Sequence, residues 1–168
     1  MRQSRSGSHK GKTQGFTLIE LVVVIILLGI LSAYAASRFL GPSSFAVLAT
    51  QSEVLASLRL TQSRAMQRTG YCNRWLLTSN AAIQVSPQAM QGNCSTTFPS
   101  NTTDSSMVDA AANGVSLSLT GASAFLDFDN WGRATQCRSS GCVVRINSTS
   151  SSEIRQVCVN TEGYIYAC

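Results

Sequence analysis

Between Phe16 and Ala36 the chain reads FTLIELVVVIILLGILSAYAA, twenty-one residues carrying a single charge, Glu20. At about 1.5 Å per residue, a helix of this length crosses the roughly 30 Å hydrocarbon core of a bilayer. Arg2, Arg5, Lys10 and Lys12 precede it, which predicts a cytoplasmic N-terminus and everything after the run on the far side. Residues 1–15, MRQSRSGSHKGKTQG, are polar, basic and without apolar periodicity, the composition of a leader or tail rather than a folded element. An ordinary secretory signal has a shorter apolar region and is cut behind it. The small residues Ser32-Ala33-Tyr34-Ala35-Ala36 keep that alternative open.

The 168 residues allow one globular domain plus an appendage, and 44% hydrophobic content suffices for a core. The formal charge of +5 is concentrated in the leader: without residues 1–15, nine basic residues face eight acidic ones. Both lysines and the only histidine, His9, also lie in those fifteen residues. A chain trimmed there has no histidine base, no lysine for Schiff-base chemistry and no histidine metal ligand. Enzymatic activity is not expected, nor is a cofactor.

Cys72, Cys94, Cys137, Cys142, Cys158 and Cys168 all follow the apolar run. An even count beyond an exported-looking N-terminus predicts disulfides in an oxidising compartment. Zinc sites need clustered Cys pairs, and only Cys137 and Cys142 are near neighbours, so no metal is expected. Six cysteines permit fifteen pairings; Cys72–Cys94, Cys137–Cys142 and Cys158–Cys168 is the working expectation.

Beyond Ala36, Phe45, Leu48, Val54, Leu55, Leu58 and Met66 recur at helical spacing, predicting a core-facing stripe. Arg38, Gln51, Glu53, Arg59, Arg64 and Arg68 are expected on the other surface. Gly41-Pro42 predicts a kink or short break, and Thr69-Gly70 a stop. One nearly continuous helix from Phe16 to Arg68 would be about 80 Å long and would protrude from so small a domain. After Gly70 the chain turns rich in Ser, Thr, Asn and Gly. Strands are predicted over Cys72–Leu77, Ala82–Val85, Val115–Leu119, Ala124–Asp127, Cys142–Ile146, Ile154–Val159 and Tyr164–Tyr166, forming a mostly antiparallel sheet. Gln91–Asn113 reads as an exposed loop.

The local pattern Gly15-Phe16-Thr17-Leu18-Ile19-Glu20 stands between the basic leader and the apolar run. It resembles the class III signal of type IV pilins and type II secretion pseudopilins. That resemblance implies cleavage by a prepilin peptidase between Gly15 and Phe16, and methylation of the new Phe16 amine. It also implies that Glu20 pairs with the Phe16 amine of a neighbouring subunit as pilin subunits assemble through their N-terminal helices. A carboxylate inside an apolar span costs about 2.5–3.5 kcal/mol on insertion scales, so a partner has physical reason to exist. The bland reading places Glu20 close enough to the interface to stay hydrated. Phe128-Asp129-Asn130-Trp131-Gly132-Arg133 and the Arg155–Gly163 stretch resemble segments of the H-type pseudopilins and related minor pilins. Ala134 replaces the usual proline, and six cysteines exceed the secretion pseudopilin pattern. Both departures favour a minor pilin of the mannose-sensitive haemagglutinin type.

Other features weigh less. Gly29 invites close helix approach or local unwinding, although single glycines are common in spans. Asp127 and Asp129 would share a face of a strand and could work as acid and base, yet lack any supporting constellation. Three Asn-x-Ser/Thr matches are unremarkable in so Ser/Thr-rich a chain. Trp131-Gly132 reads as a turn packed on the sheet. Arg59, Arg64, Arg68, Arg74, Arg133, Arg138, Arg145 and Arg155 are scattered, and nucleic acid is not the expected partner.

The expected fold is α+β, type IV pilin-like: a long protruding N-terminal α-helix packed on a small antiparallel β-sheet domain, stiffened by disulfides. Residues 1–15 are the expected leader, 16–40 the membrane and filament-core half of the helix, 41–70 its amphipathic half, and 71–168 the periplasmic or extracellular domain. The chain is expected in the bacterial inner membrane before assembly and in a pilus afterwards, with a surface ligand as a further partner. The alternatives are an H-type pseudopilin and a membrane-anchored domain that binds a ligand or DNA through residues 91–113 or the arginines.

Overall fold

The computed structural model describes residues 17–39, 42–100 and 102–168, with side chains over 17–32 and from Ser44 onward. It divides into two compact units between Leu40 and Gly41. The first contains helix α1, Leu18–Phe39. The second opens with helix α2, Pro42–Gln67. The kink or short break expected at Gly41-Pro42 falls in part on Gly41, which lies outside the described residues; Pro42 starts α2, where its missing N–H costs nothing. Helix α2 ends at Gln67, and Gly70 turns the chain with φ +83°.

Among the described residues eight strands follow: β1 Arg74–Leu77, β2 Ala81–Val85, β3 Val108–Asp109, β4 Val115–Thr120, β5 Phe125–Asp127, β6 Cys142–Ser148, β7 Ile154–Val159 and β8 Ile165–Ala167. They form two four-stranded antiparallel sheets, ordered β3-β2-β1-β5 and β4-β6-β7-β8, where the sequence suggested one. The ladder breaks because the free edge of β4 is taken by loops. Val115 N–H donates to Ala110 O, and Leu117 N–H to Ser79 O in the β1–β2 turn. The architecture is therefore α+β, with antiparallel sheets and disulfides joining Cys72 to Cys94, Cys137 to Cys142 and Cys158 to Cys168.

Helix α2 packs on this unit through a different face from the one hydropathy suggests. Val47, Thr50, Gln51, Val54, Ser57, Leu58, Thr61 and Ala65 are buried, whereas Phe45, Leu48 and Met66 are exposed. Val54 and Leu58 belong to both stripes; Gln51 belongs to the buried one and not, as anticipated, to the surface. The buried stripe is mostly small or hydroxyl-bearing, and its polar atoms find partners. Gln51 Nε2 donates to Gln156 O at 2.7 Å, Thr61 Oγ1 to Ser57 O at 3.0 Å, and Asn113 Nδ2 donates to Thr50 Oγ1 at 3.1 Å. Side chains that form such bonds can be buried without the desolvation penalty that hydropathy assigns them.

The core on this face contains Trp75, Leu77, Ala82, Leu126, Val144, Ile146, Val157 and Ile165. Strands β1 and β2 are also apolar on their far side, where Leu76, Ile83 and Val85 pack with Phe98, Met107 and Phe125. This second face needs a cover, and the segment expected to be an exposed loop supplies it. Within Gln91–Asn113, Ser106, Val108 and Ala110 are buried, β3 pairs with β2, and Arg64 anchors Asp104 at 2.9 Å.

Candidate functional site at the N-terminal helix

Helix α1 begins with a cap. Thr17 Oγ1 accepts a hydrogen bond from Glu20 N–H at 3.3 Å, and Thr17 O accepts from the N–H groups of Glu20 and Leu21. Thr17 and Glu20 stand three apart, the spacing of a capping box, in which the glutamate also carries negative charge into the first turn and favours the helix dipole. Thr17 is a residue the motif reading passed over; its Thr-x-x-Glu spacing is the signal that finds it. Gly15 and Phe16, the predicted cleavage site, lie outside the described residues.

Glu20 is exposed, and among the described residues its carboxylate makes no hydrogen bond or salt bridge. Around it the helix is apolar on every side: Leu18, Ile19, Leu21, Val23 through Leu28, Ile30 and Leu31 are all exposed. A soluble helix carries one apolar stripe; a helix apolar all round needs a non-aqueous or protein environment on all faces. Gly29 keeps the helix intact, with open space where a Cβ would stand, and its carbonyl accepts a bond from Ser32 Oγ at 2.9 Å. Among the described residues no helix is long and apolar enough to cross a membrane. The part of α1 with described side chains, Leu18–Ser32, reaches about 22 Å at 1.5 Å per residue. Phe16 and the side chains of residues 33–36 complete the expected span and are not among those described.

The two carboxylates considered for acid–base work are engaged separately. Asp127 takes a bidentate pair from Arg74 at 2.7 and 2.8 Å, and a third bond from Gln136. Asp129 accepts from the backbone N–H groups of Trp131 and Arg133, and from the Arg133 and Arg138 side chains. Burial alone would push the Asp129 carboxyl up, but these bonds outweigh it and hold it below the usual carboxylate range. Asp129 thereby ties up the Phe128–Arg133 segment as a closed loop. Gly132, at φ +78°, packs against Gln62 and Met66 of α2, not on a sheet, and Trp131 is 76% exposed. Of the scattered arginines, Arg64, Arg74, Arg133, Arg138 and Arg155 pair with carboxylates, Arg59 donates to Ile165 O, and Arg68 lies over the Tyr71 ring.

Residues 10–36 match the family described as the prokaryotic N-terminal methylation motif. The match supports a type IV pilin-like or pseudopilin family. It covers the leader, the Gly15-Phe16 junction, Glu20 and most of the apolar run. The motif is a prepilin peptidase cleavage site, which implies that peptidase and pilin subunits as partners in general terms. No curated protein and no solved structure matches the chain.

Proposed function

We propose that this chain is a structural minor pilin subunit, with no catalytic activity of its own, that enters or primes a type IV pilus of the mannose-sensitive haemagglutinin type and serves surface attachment. The observation that carries the reading is the methylation motif over residues 10–36, which takes in most of a helix with exposed apolar side chains around Glu20, whose carboxylate has no partner among the described residues. In this reading residues 1–15 are removed by the prepilin peptidase and Phe16 is N-methylated. Residues 16–40 form first a membrane anchor with a cytoplasmic N-terminus and then the filament core. Residues 41–70 form the amphipathic half of the N-terminal helical segment, and residues 71–168 form the domain displayed in the periplasm or on the pilus. Glu20 pairs with the Phe16 amine of a neighbouring subunit and fixes axial register.

The resemblance of Phe128–Arg133 and Arg155–Gly163 to segments of the H-type pseudopilins supports a second reading as an H-type pseudopilin of a type II secretion system. Both readings share the N-terminal chemistry and differ in the filament served.

The decisive experiment is mass spectrometry of the mature N-terminus in cells with and without the prepilin peptidase. The proposal requires a chain that starts at methylated Phe16 only when the peptidase is present. A chain that starts after Ala36, or that retains residues 1–15, overturns it in favour of an exported or anchored domain that binds a ligand or DNA.

A further inference from the structure

Strand β8 alternates. Ile165 is buried in the core beneath α2, so Tyr164 and Tyr166 project from the opposite face of the sheet, where they are 64% and 37% exposed. Their rings stack with centroids 5.3 Å apart and 18° between planes. One face of Tyr166 is thus taken by Tyr164, which sets its orientation, and the residue keeps 37% of its surface exposed. The strand register continues the row: Tyr166 pairs with Cys158, and Cys158 with Val143. On this row opens a cleft of about 210 Å³, lined also by Ser140, Gly141, Asn160 and Thr161.

Two properties of the cleft bear on what it can hold. The first is rigidity. Cys137–Cys142 closes the short loop that carries Ser140 and Gly141, and Cys158–Cys168 ties the end of β8 to β7. A Cβ on Gly141 would stand 2.9 Å from Val159 O, so this loop lies directly on the end of β7.

The second property is the chemistry of the lining. It contains no Asp, Glu, Lys, Arg or His. Asn160 Oδ1 is spent on the backbone N–H groups of Glu162 and Tyr164, at 3.0 and 2.7 Å. That fixes the amide, and among the described residues its Nδ2 donates to no protein group. Among the described residues the hydroxyls of Ser140 and Thr161 also have no protein partner. An aromatic face beside neutral donors and acceptors suits a ligand with apolar C–H faces and hydroxyl edges. It offers nothing to neutralise a charge. The volume is below the roughly 300–1,000 Å³ of pockets that enclose drug-sized ligands, which limits the occupant to about one ring.

We propose that the cleft bordered by Tyr166, Ser140, Asn160 and Thr161 binds a neutral saccharide ring, stacked on Tyr166 and hydrogen-bonded to the other three. The site is separate from the N-terminal segment and does not depend on the filament reading.

The test uses the full chain, labelled with ¹³C in its tyrosine rings and held in a phosphocholine detergent, which lacks a sugar head group. Methyl glycosides of glucose, mannose, galactose and N-acetylglucosamine are titrated to high millimolar concentration, with N-acetylneuraminic acid as the charged counterpart. At least one neutral glycoside should shift the Tyr164 and Tyr166 signals saturably while Tyr71 stays in place. Tyr166→Ala should weaken that binding by about tenfold or more. Thr161→Val, which leaves the aromatic pair intact, should weaken it about three- to tenfold. The proposal is overturned if no glycoside in the set moves Tyr166, if Tyr166→Ala binds as well as the native chain, or if the charged sugar binds equally. A Tyr166→Ala chain that loses filament incorporation without any native glycoside response assigns the face to subunit contact instead.

Discussion

The indole Nε1 of Trp75 donates a hydrogen bond to Ser57 Oγ at 2.8 Å, and the Ser57 hydroxyl in turn donates to the carbonyl of Ser106. Trp75 is fully buried on β1, Ser57 faces it from α2, and Ser106 belongs to the segment covering the far side of the first sheet. One hydroxyl therefore joins helix, strand and cover. Ser57→Ala leaves a buried N–H and a buried carbonyl without partners, at a cost of about 2–3 kcal/mol. Urea unfolding should show that loss, whereas the exposed Ser52→Ala should stay within about 0.5 kcal/mol of the native chain.

A backbone contact sets the second prediction. Gly163, at φ +90°, lies so close to Gly132 that an added Cβ would collide with the Gly132 carbonyl oxygen. Gln62 Nε2 donates to the carbonyls of both glycines, at 2.6 Å each, fastening the β7–β8 turn and the Asp129 loop to α2. Gly163→Ala should cost about 2 kcal/mol or more, since it combines a disfavoured φ with a clash against backbone. Gly92→Ala, at a site with open space, should change stability by less than about 1 kcal/mol.

These two contacts also mark where the sequence was legible. Alternation located β4 and β7 of the second sheet because each presents one face to the core: Val115 and Leu117, then Val157 and Val159, are buried. It was uninformative for β2, whose five residues are all buried and include Gln84, and so it concealed the need for a cover. Hydropathy misassigned the face of α2 because Thr50, Ser57 and Thr61 are buried through hydrogen bonds that no scale records, while Phe45 and Met66 face outward. The N-terminal motif was legible because its signal is local: a glycine, a short spacing and a glutamate ahead of an apolar run. The Tyr166 cleft was not, because Ser140, Asn160 and Tyr166 meet only through strand register and the loop closed by Cys137–Cys142.

Asp129 supplies a pH dependence with a definite sign. Its carboxyl is held below the ordinary range in the folded chain, so the unfolded chain binds its proton more readily. The stabilisation is fully present above about pH 3.9, where an unfolded aspartate ionises, and is lost as pH falls through the lower folded value. Asp104, depressed by bonds from Ser106 and Arg64 that outweigh its burial, acts in the same direction. Unfolding free energy should therefore decline below about pH 4. In Asp129→Asn that decline should be shallower, starting from a lower stability at neutral pH; an unchanged slope would remove Asp129 from the account.

Glu20 separates membrane retention from filament assembly. Replacing it with valine removes a charge whose insertion costs about 2.5–3.5 kcal/mol, so Glu20→Val should be held in membranes at least as well as the native chain. If Glu20 serves only to place negative charge beside the Thr17 cap in the first turn of α1, losing it should cost about 0.3–1 kcal/mol of local helix stability, because its backbone N–H still donates to Thr17 Oγ1. Thr17→Val removes that cap while keeping the carboxylate and provides the comparison. The pairing proposed between Glu20 and a neighbouring Phe16 amine requires that Glu20→Val be retained in membranes yet absent from sheared filaments, with Thr17→Val incorporated at close to native levels. Equal incorporation of the two variants would reduce Glu20 to a first-turn charge and leave axial register to the apolar surface of α1.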